Sequence, residues 1–79
     1  MNVWFRRGGY LFLAPTQAQL GRLYLDGVGV PQNATKAVEW FERAAELGNP
    51  WGQYYLAFQL RRGEGIKRDL EKSIEWLER

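Results

Sequence analysis

Apolar and polar positions follow a helical rhythm along most of the chain. Leu20, Leu23 and Tyr24 stand three and four residues apart, and so do Ala37, Val38, Phe41, Ala44 and Ala45. Such spacing lays an apolar stripe along one side of a helix. The first run starts near Pro15-Thr16 and stops at Gly27, a residue free to take the left-handed conformation that closes a helix. A turn from Gly27 to Gln32 follows, and Asn33 reads as the N-cap of a second helix that ends at Gly48. Asn49 and Pro50 restart the scheme, one as cap and one at the first helical position. Trp51 to about Arg62, a turn from Gly63 to Arg68, the cap Asp69 and a helix from Leu70 to Arg79 complete it.

The chain repeats itself. Displaced by 36 residues, it gives 9 identities in the 27 ungapped pairs from 17/53 to 43/79. Leu20 meets Leu56, Gly27 meets Gly63, Gly29 meets Gly65, and Trp40 meets Trp76. The same shift sets Trp4-Phe5 on Trp40-Phe41 and Arg7 on Arg43, so Val3 to Gly9 aligns with Glu39 to Ala45. A period of this size is the mark of a stacked repeat array. It also accounts for Arg6-Arg7 and Tyr10 to Ala14 without a signal peptide, whose apolar run would be longer. Without a convincing signal peptide the cytoplasm is favoured as compartment. The period predicts three parts: a remnant second helix of a preceding repeat at 1–14, frayed at Gly8-Gly9; a complete repeat at 15–48; and a second repeat at 49–79. The second repeat lacks equivalents of Ala44 to Gly48 and reads as truncated.

Leu20-Gly21-x-x-Tyr24-x-x-Gly27-x-Gly29-Val30, then Lys36-Ala37-x-x-Trp40-Phe41-x-x-Ala44-Ala45-Glu46-x-Gly48, resembles the Sel-one-like repeat, a relative of the tetratricopeptide repeat. The second unit carries Leu56, Gly63, Gly65 and Trp76 at the matching places, with Ala57 for glycine, Leu60 for tyrosine and Ser73 for alanine. The resemblance implies an all-α fold, an α-α superhelix of two antiparallel helix pairs plus a partial N-terminal helix. It also implies adaptor or scaffold roles, often in bacterial proteins.

Composition narrows the chemistry. The 79 residues include no Cys, no His and a single Ser, which removes thiol nucleophiles, histidine triads and the usual zinc ligands. Neither catalysis nor a cofactor is expected. A net charge of +2 makes no case for nucleic acid or an anionic membrane surface. No run approaches the ~18 apolar residues of a membrane span. A chain this short buries only about 60% of its unfolded surface, so regular packing or a partner must supply stability.

Other features that resemble sites belong to the repeat. Glu39 to Arg43 and Glu75 to Arg79 are i,i+4 pairs of an exposed helix face. Gly27-x-Gly29 and Gly63-x-Gly65 lack the third glycine of a dinucleotide loop. Trp4, Trp40 and Trp76 form a ladder that stacking would use as core. What breaks the period is a set of large side chains on the first helix of the second unit. Trp51, Tyr55, Phe58, Gln59 and Arg62 form an aromatic-plus-arginine patch, the composition of protein-interface anchors. In superhelices of this kind the first helices line the concave face. The leading expectation is therefore a module that binds a peptide or protein segment there. The alternative is assembly, a homo-oligomer formed through uncapped repeat ends.

Overall fold

The computed structural model describes residues 3–7, 10–14 and 16–78. Four helices follow the predicted order: α1 (Gln17–Asp26), α2 (Ala34–Glu46), α3 (Pro50–Arg62) and α4 (Leu70–Leu77). They form a helical repeat array in which each helix packs on the next and α1 also approaches α3. No helix among the described residues is long and apolar enough to cross a membrane.

The caps explain where each helix begins. Thr16 opens α1 with a reciprocal box: its hydroxyl accepts from the Gln19 amide at 3.2 Å, and Gln19 Oε1 accepts from the Thr16 amide at 2.8 Å. Asn33 and Asp69, one period apart, each accept from the amide three residues on, at 3.0 Å in both cases. Gly27 and Gly63 close α1 and α3 in the left-handed region, with φ of 71° and 69°. The amides of Asn33 and Asp69 then return to the carbonyls of Tyr24 and Leu60, at 2.8 and 2.9 Å. The two turns are built alike.

The core lies between α2 and α3: Ala37, Val38, Phe41, Ala45, Leu56 and Leu60 are buried, with Tyr24, Tyr55, Ile66 and Trp76 packed around them. Phe41 is fully buried. Its ring sits so close to Gly21 that a Cβ there would fall 2.5 Å from the ring edge. In the second repeat Ala57 replaces that glycine, and the buried Ser73 hydroxyl donates to the Ala57 carbonyl at 2.8 Å. The ladder of tryptophans survives only in part. Trp40 and Trp76 are half-buried on α2 and α4, whereas Trp4 stands in a strand.

That strand corrects the expectation for the N-terminal segment. Val3–Arg7 (β1) and Tyr10–Ala14 (β2) pair antiparallel, with Phe5 opposite Phe12 and Arg7 opposite Tyr10. A leftover helix was expected there. The alignment with Glu39 to Ala45 rests on Trp4-Phe5 and Arg7, but the rest of the segment favours strand. Val3, Trp4, Phe5, Tyr10 and Phe12 are β-branched or aromatic. A glycine pair costs a helix about 1 kcal/mol per residue. Gly8 and Gly9, where fraying was expected, lie outside the described residues.

The glycines of the two turns give a first test. Gly29 and Gly65 share a positive φ, 76° and 75°. A Cβ on Gly29 would meet open space, while one on Gly65 would collide with the Ala34 carbonyl at the start of α2. Urea unfolding followed by circular dichroism should show Gly29→Ala losing about 1 kcal/mol, the left-handed cost alone. Gly65→Ala should lose about 1–3 kcal/mol more, the cost of overpacking. Equal losses would mean that the second turn does not rest on α2.

A second test concerns Phe41 and Gly21. Gly21→Ala should destabilise by about 1–3 kcal/mol despite the better helix propensity of alanine. In a Phe41→Leu background, where the smaller side chain relieves the clash, the same change should cost less. A double-mutant cycle without coupling would show that the two residues do not touch.

Candidate protein-interaction site

Tyr55 on α3 is the junction between the core and one exposed face. Its ring stacks on the buried Phe41 at 5.1 Å and 27°. On its other side Trp51 stacks at 6.2 Å and 28°, and Tyr54 meets it edge-on at 5.5 Å and 63°. The rings thus run from the interior to the surface, where Trp51, Tyr54 and Phe58 are 64%, 50% and 37% exposed. Positions 51, 54 and 58 share one side of α3 by helical spacing. The opposite side is committed to packing through Gly52, Leu56, Ala57 and Leu60.

Two arginines are laid over these rings. Arg22 crosses from α1: its guanidinium lies 5.4 Å from the Tyr55 ring centre, and its Nη1 donates to the Tyr55 hydroxyl at 3.3 Å. Its Nε donates to Asp26 Oδ2 at 2.7 Å. The hydrogen bond and charge of Asp26 push the Arg22 pKa up from its ordinary value, and Tyr55 acts in the same direction against a small desolvation penalty. Arg62 repeats the arrangement at the other end, 5.2 Å over the Phe58 ring and paired with Glu64 at 3.0 Å. All four charged side chains are more than a third exposed, so the pairs contribute at most about 1 kcal/mol each. Their effect is to orient the guanidinium groups on the rings.

Two adjoining open grooves result. One, of about 550 Å³, is lined by Arg22, Leu25, Asp26, Gln32, Tyr54, Tyr55, Phe58, Arg62 and Glu64. The other, of about 510 Å³, is lined by Thr16, Ala18, Gln19, Arg22, Asn49, Trp51 and Tyr55. Arg22 and Tyr55 belong to both.

Four of the five residues singled out from the sequence, Trp51, Tyr55, Phe58 and Arg62, meet on this face. Gln59 does not. It is fully buried, donates from Nε2 to the Glu64 carbonyl at 3.0 Å, and has no partner for Oε1 among the described residues. The packed side of α3 is wider than a simple stripe because α2 and α4 cover it from two directions, and Gln59 falls inside that arc. Its repeat equivalent is Leu23. Conversely, Arg22, Asp26, Tyr54 and Glu64 were absent from the sequence-based patch. The period holds the signal for three of them: Ala18, Arg22 and Asp26 stand one repeat before Tyr54, Phe58 and Arg62. These two stripes differ at every position and face the same way.

Two glutamate–arginine pairs were also expected from the sequence. Arg43, expected to pair with Glu39, instead lies 5.0 Å over the Trp40 ring. Arg79, the expected partner of Glu75, lies outside the described residues. No group of three or more acidic, histidine or cysteine side chains that could hold a metal exists among the described residues.

Comparison with known proteins gives a consistent answer. The Sel1 repeat profile matches residues 14–49 and 52–79. The fold is similar to a Sel1 repeat protein from Oxalobacter formigenes, with a TM-score of 0.77 and 34% identity over 78% of this chain and 26% of that one. It is also similar to a protective antigen of uropathogenic Escherichia coli strains that displays an SLR fold, with a TM-score of 0.77 and 37% identity over 78% of this chain and 13% of that one. The chain thus spans about a quarter and an eighth of the length of these two structures. No curated protein matches the chain. Repeats of this kind generally serve as protein–protein interaction modules. With both units matched in sequence and the helical array matched in structure, the chain belongs to the Sel1 repeat family.

Proposed function

We propose that this chain is a non-catalytic adaptor or scaffold module that binds a peptide or protein segment along the α1/α3 face, the concave side of the superhelix. The observation that carries this reading is the exposure of Trp51, Tyr54 and Phe58 around Tyr55, with Arg22 and Arg62 held over the rings. Exposed aromatic and arginine side chains on a rigid support are the usual anchors of an interface. Rigidity comes from the stack onto Phe41, so little ordering cost remains to be met on binding.

Affinity for a partner recovered from the native host should fall at least tenfold, about 1.4 kcal/mol, for Trp51→Ala and for Arg62→Ala. Their circular dichroism spectra should match the parent. Gln59→Leu should bind normally and unfold within about 1 kcal/mol of the parent, because leucine already fills the equivalent place in the first repeat. Loss of binding in Gln59→Leu but not in Trp51→Ala would refute this face as the site.

A second reading, self-association through repeat faces, is favoured by the outer side of α4. Leu70, Ile74 and Leu77 are 47%, 55% and 58% exposed. Ile74 and Leu77 hold the places of Val38 and Phe41, which are buried because α3 lies against them. Sedimentation of the parent should show mass rising with concentration, and Ile74→Glu should abolish the rise. A monomer at every concentration would eliminate this reading.

A further inference from the structure

We propose that the segment bound in the α1/α3 groove is proline-rich and lies in the extended left-handed polyproline II conformation. The inference rests on the groove reading above and names the chemistry of its ligand.

The charges are the first argument. Arg22 is matched by Asp26 and Arg62 by Glu64, so the groove carries two positive and two negative groups already in contact. A strongly acidic segment would meet the two carboxylates, and a strongly basic one the two guanidinium groups. A neutral segment avoids both.

Hydrogen-bonding capacity is the second. The walls are helices, whose backbone groups are spent within the helix, so an extended strand would find no edge for its N–H groups. Beside the carboxylates of Asp26 and Glu64, the groove offers donors. The Trp51 indole N–H and the Tyr54 hydroxyl make no hydrogen bond among the described residues. Arg22 and Arg62 keep N–H groups beyond those given to Asp26, Tyr55 and Glu64. Polyproline is the complementary ligand: its backbone presents carbonyl acceptors and no donors.

Shape is the third. The site consists of two slots that share Arg22 and Tyr55 and have aromatic walls, Trp51 in one and Phe58 in the other. Seven residues along α3 separate these rings by about 10 Å. One turn of polyproline II advances about 9 Å, so prolines one turn apart fall into successive slots.

The test is a selection of random dodecapeptides displayed on phage, with a parallel titration of decaproline followed by isothermal titration calorimetry. The control is the Trp51→Ala/Tyr54→Ala variant, whose circular dichroism and unfolding midpoint establish that it folds. Selected peptides should be enriched in proline at three-residue spacing. Decaproline should bind the parent, should bind the variant at least about tenfold more weakly, and should depend little on salt. Selected peptides without proline that still require Trp51 and Tyr54 would overturn the proline-rich ligand while leaving the groove as a binding site. A library that yields no ligand dependent on these rings would overturn both.

Discussion

Phe41 is the contact on which the rest depends. One edge of its ring lies against Gly21 of α1, where no Cβ could fit, and one face lies against Tyr55 of α3. Burial of such a ring contributes about 1.5–3 kcal/mol, but its geometric effect is larger. It sets how closely the two first helices approach each other across α2. It also supports the innermost ring of the exposed aromatic cluster. A change at Phe41 would therefore reach both the core and the face where Trp51 and Tyr54 are displayed.

The two repeats share a scaffold and divide the surface. Caps at Asn33 and Asp69, left-handed closures at Gly27 and Gly63, and the return bonds to Tyr24 and Leu60 are the same in both. Upon this common frame the first repeat contributes Arg22 and Asp26, and the second contributes the rings, Arg62 and Glu64. Neither could form the face alone. A repeat array lends itself to this division, since each unit contacts only its neighbours and outward side chains vary without disturbing the stack. Gly65 illustrates the boundary between the two roles. Its conformation belongs to the shared turn, but its close approach to Ala34 exists only where a preceding repeat is present.

Membership of the Sel1 repeat family accounts for the scaffold and says less about the face. The matched structures are several times longer than this chain, and the similarity follows the helices. Aromatic positions 51, 54 and 58 stand outside the repeating pattern. In the proposed binding role, recognition falls to such places, because residues that build the stack are buried by it.

The sequence alone encodes the helices, their caps and turns, and the order in which they stack. These follow from local chemistry repeated twice: glycine where φ must be positive, asparagine, aspartate or threonine where an amide needs an acceptor, and apolar residues at helical spacing. It also marked Trp51, Tyr55, Phe58 and Arg62 as departures from the period. Which departures face outward was set by how the helices pack on one another. Gln59 looked equivalent to its neighbours along the chain, yet α2 and α4 together enclose it. Arg22 and Asp26 looked like ordinary surface of the first helix, yet α1 lies beside α3 and carries them onto Tyr55. The N-terminal segment matched the period at Trp4-Phe5 but formed two antiparallel strands, because their strand propensity outweighed that short resemblance. Burial and proximity depend on which helices flank a given one, and a period read along one chain does not contain that information.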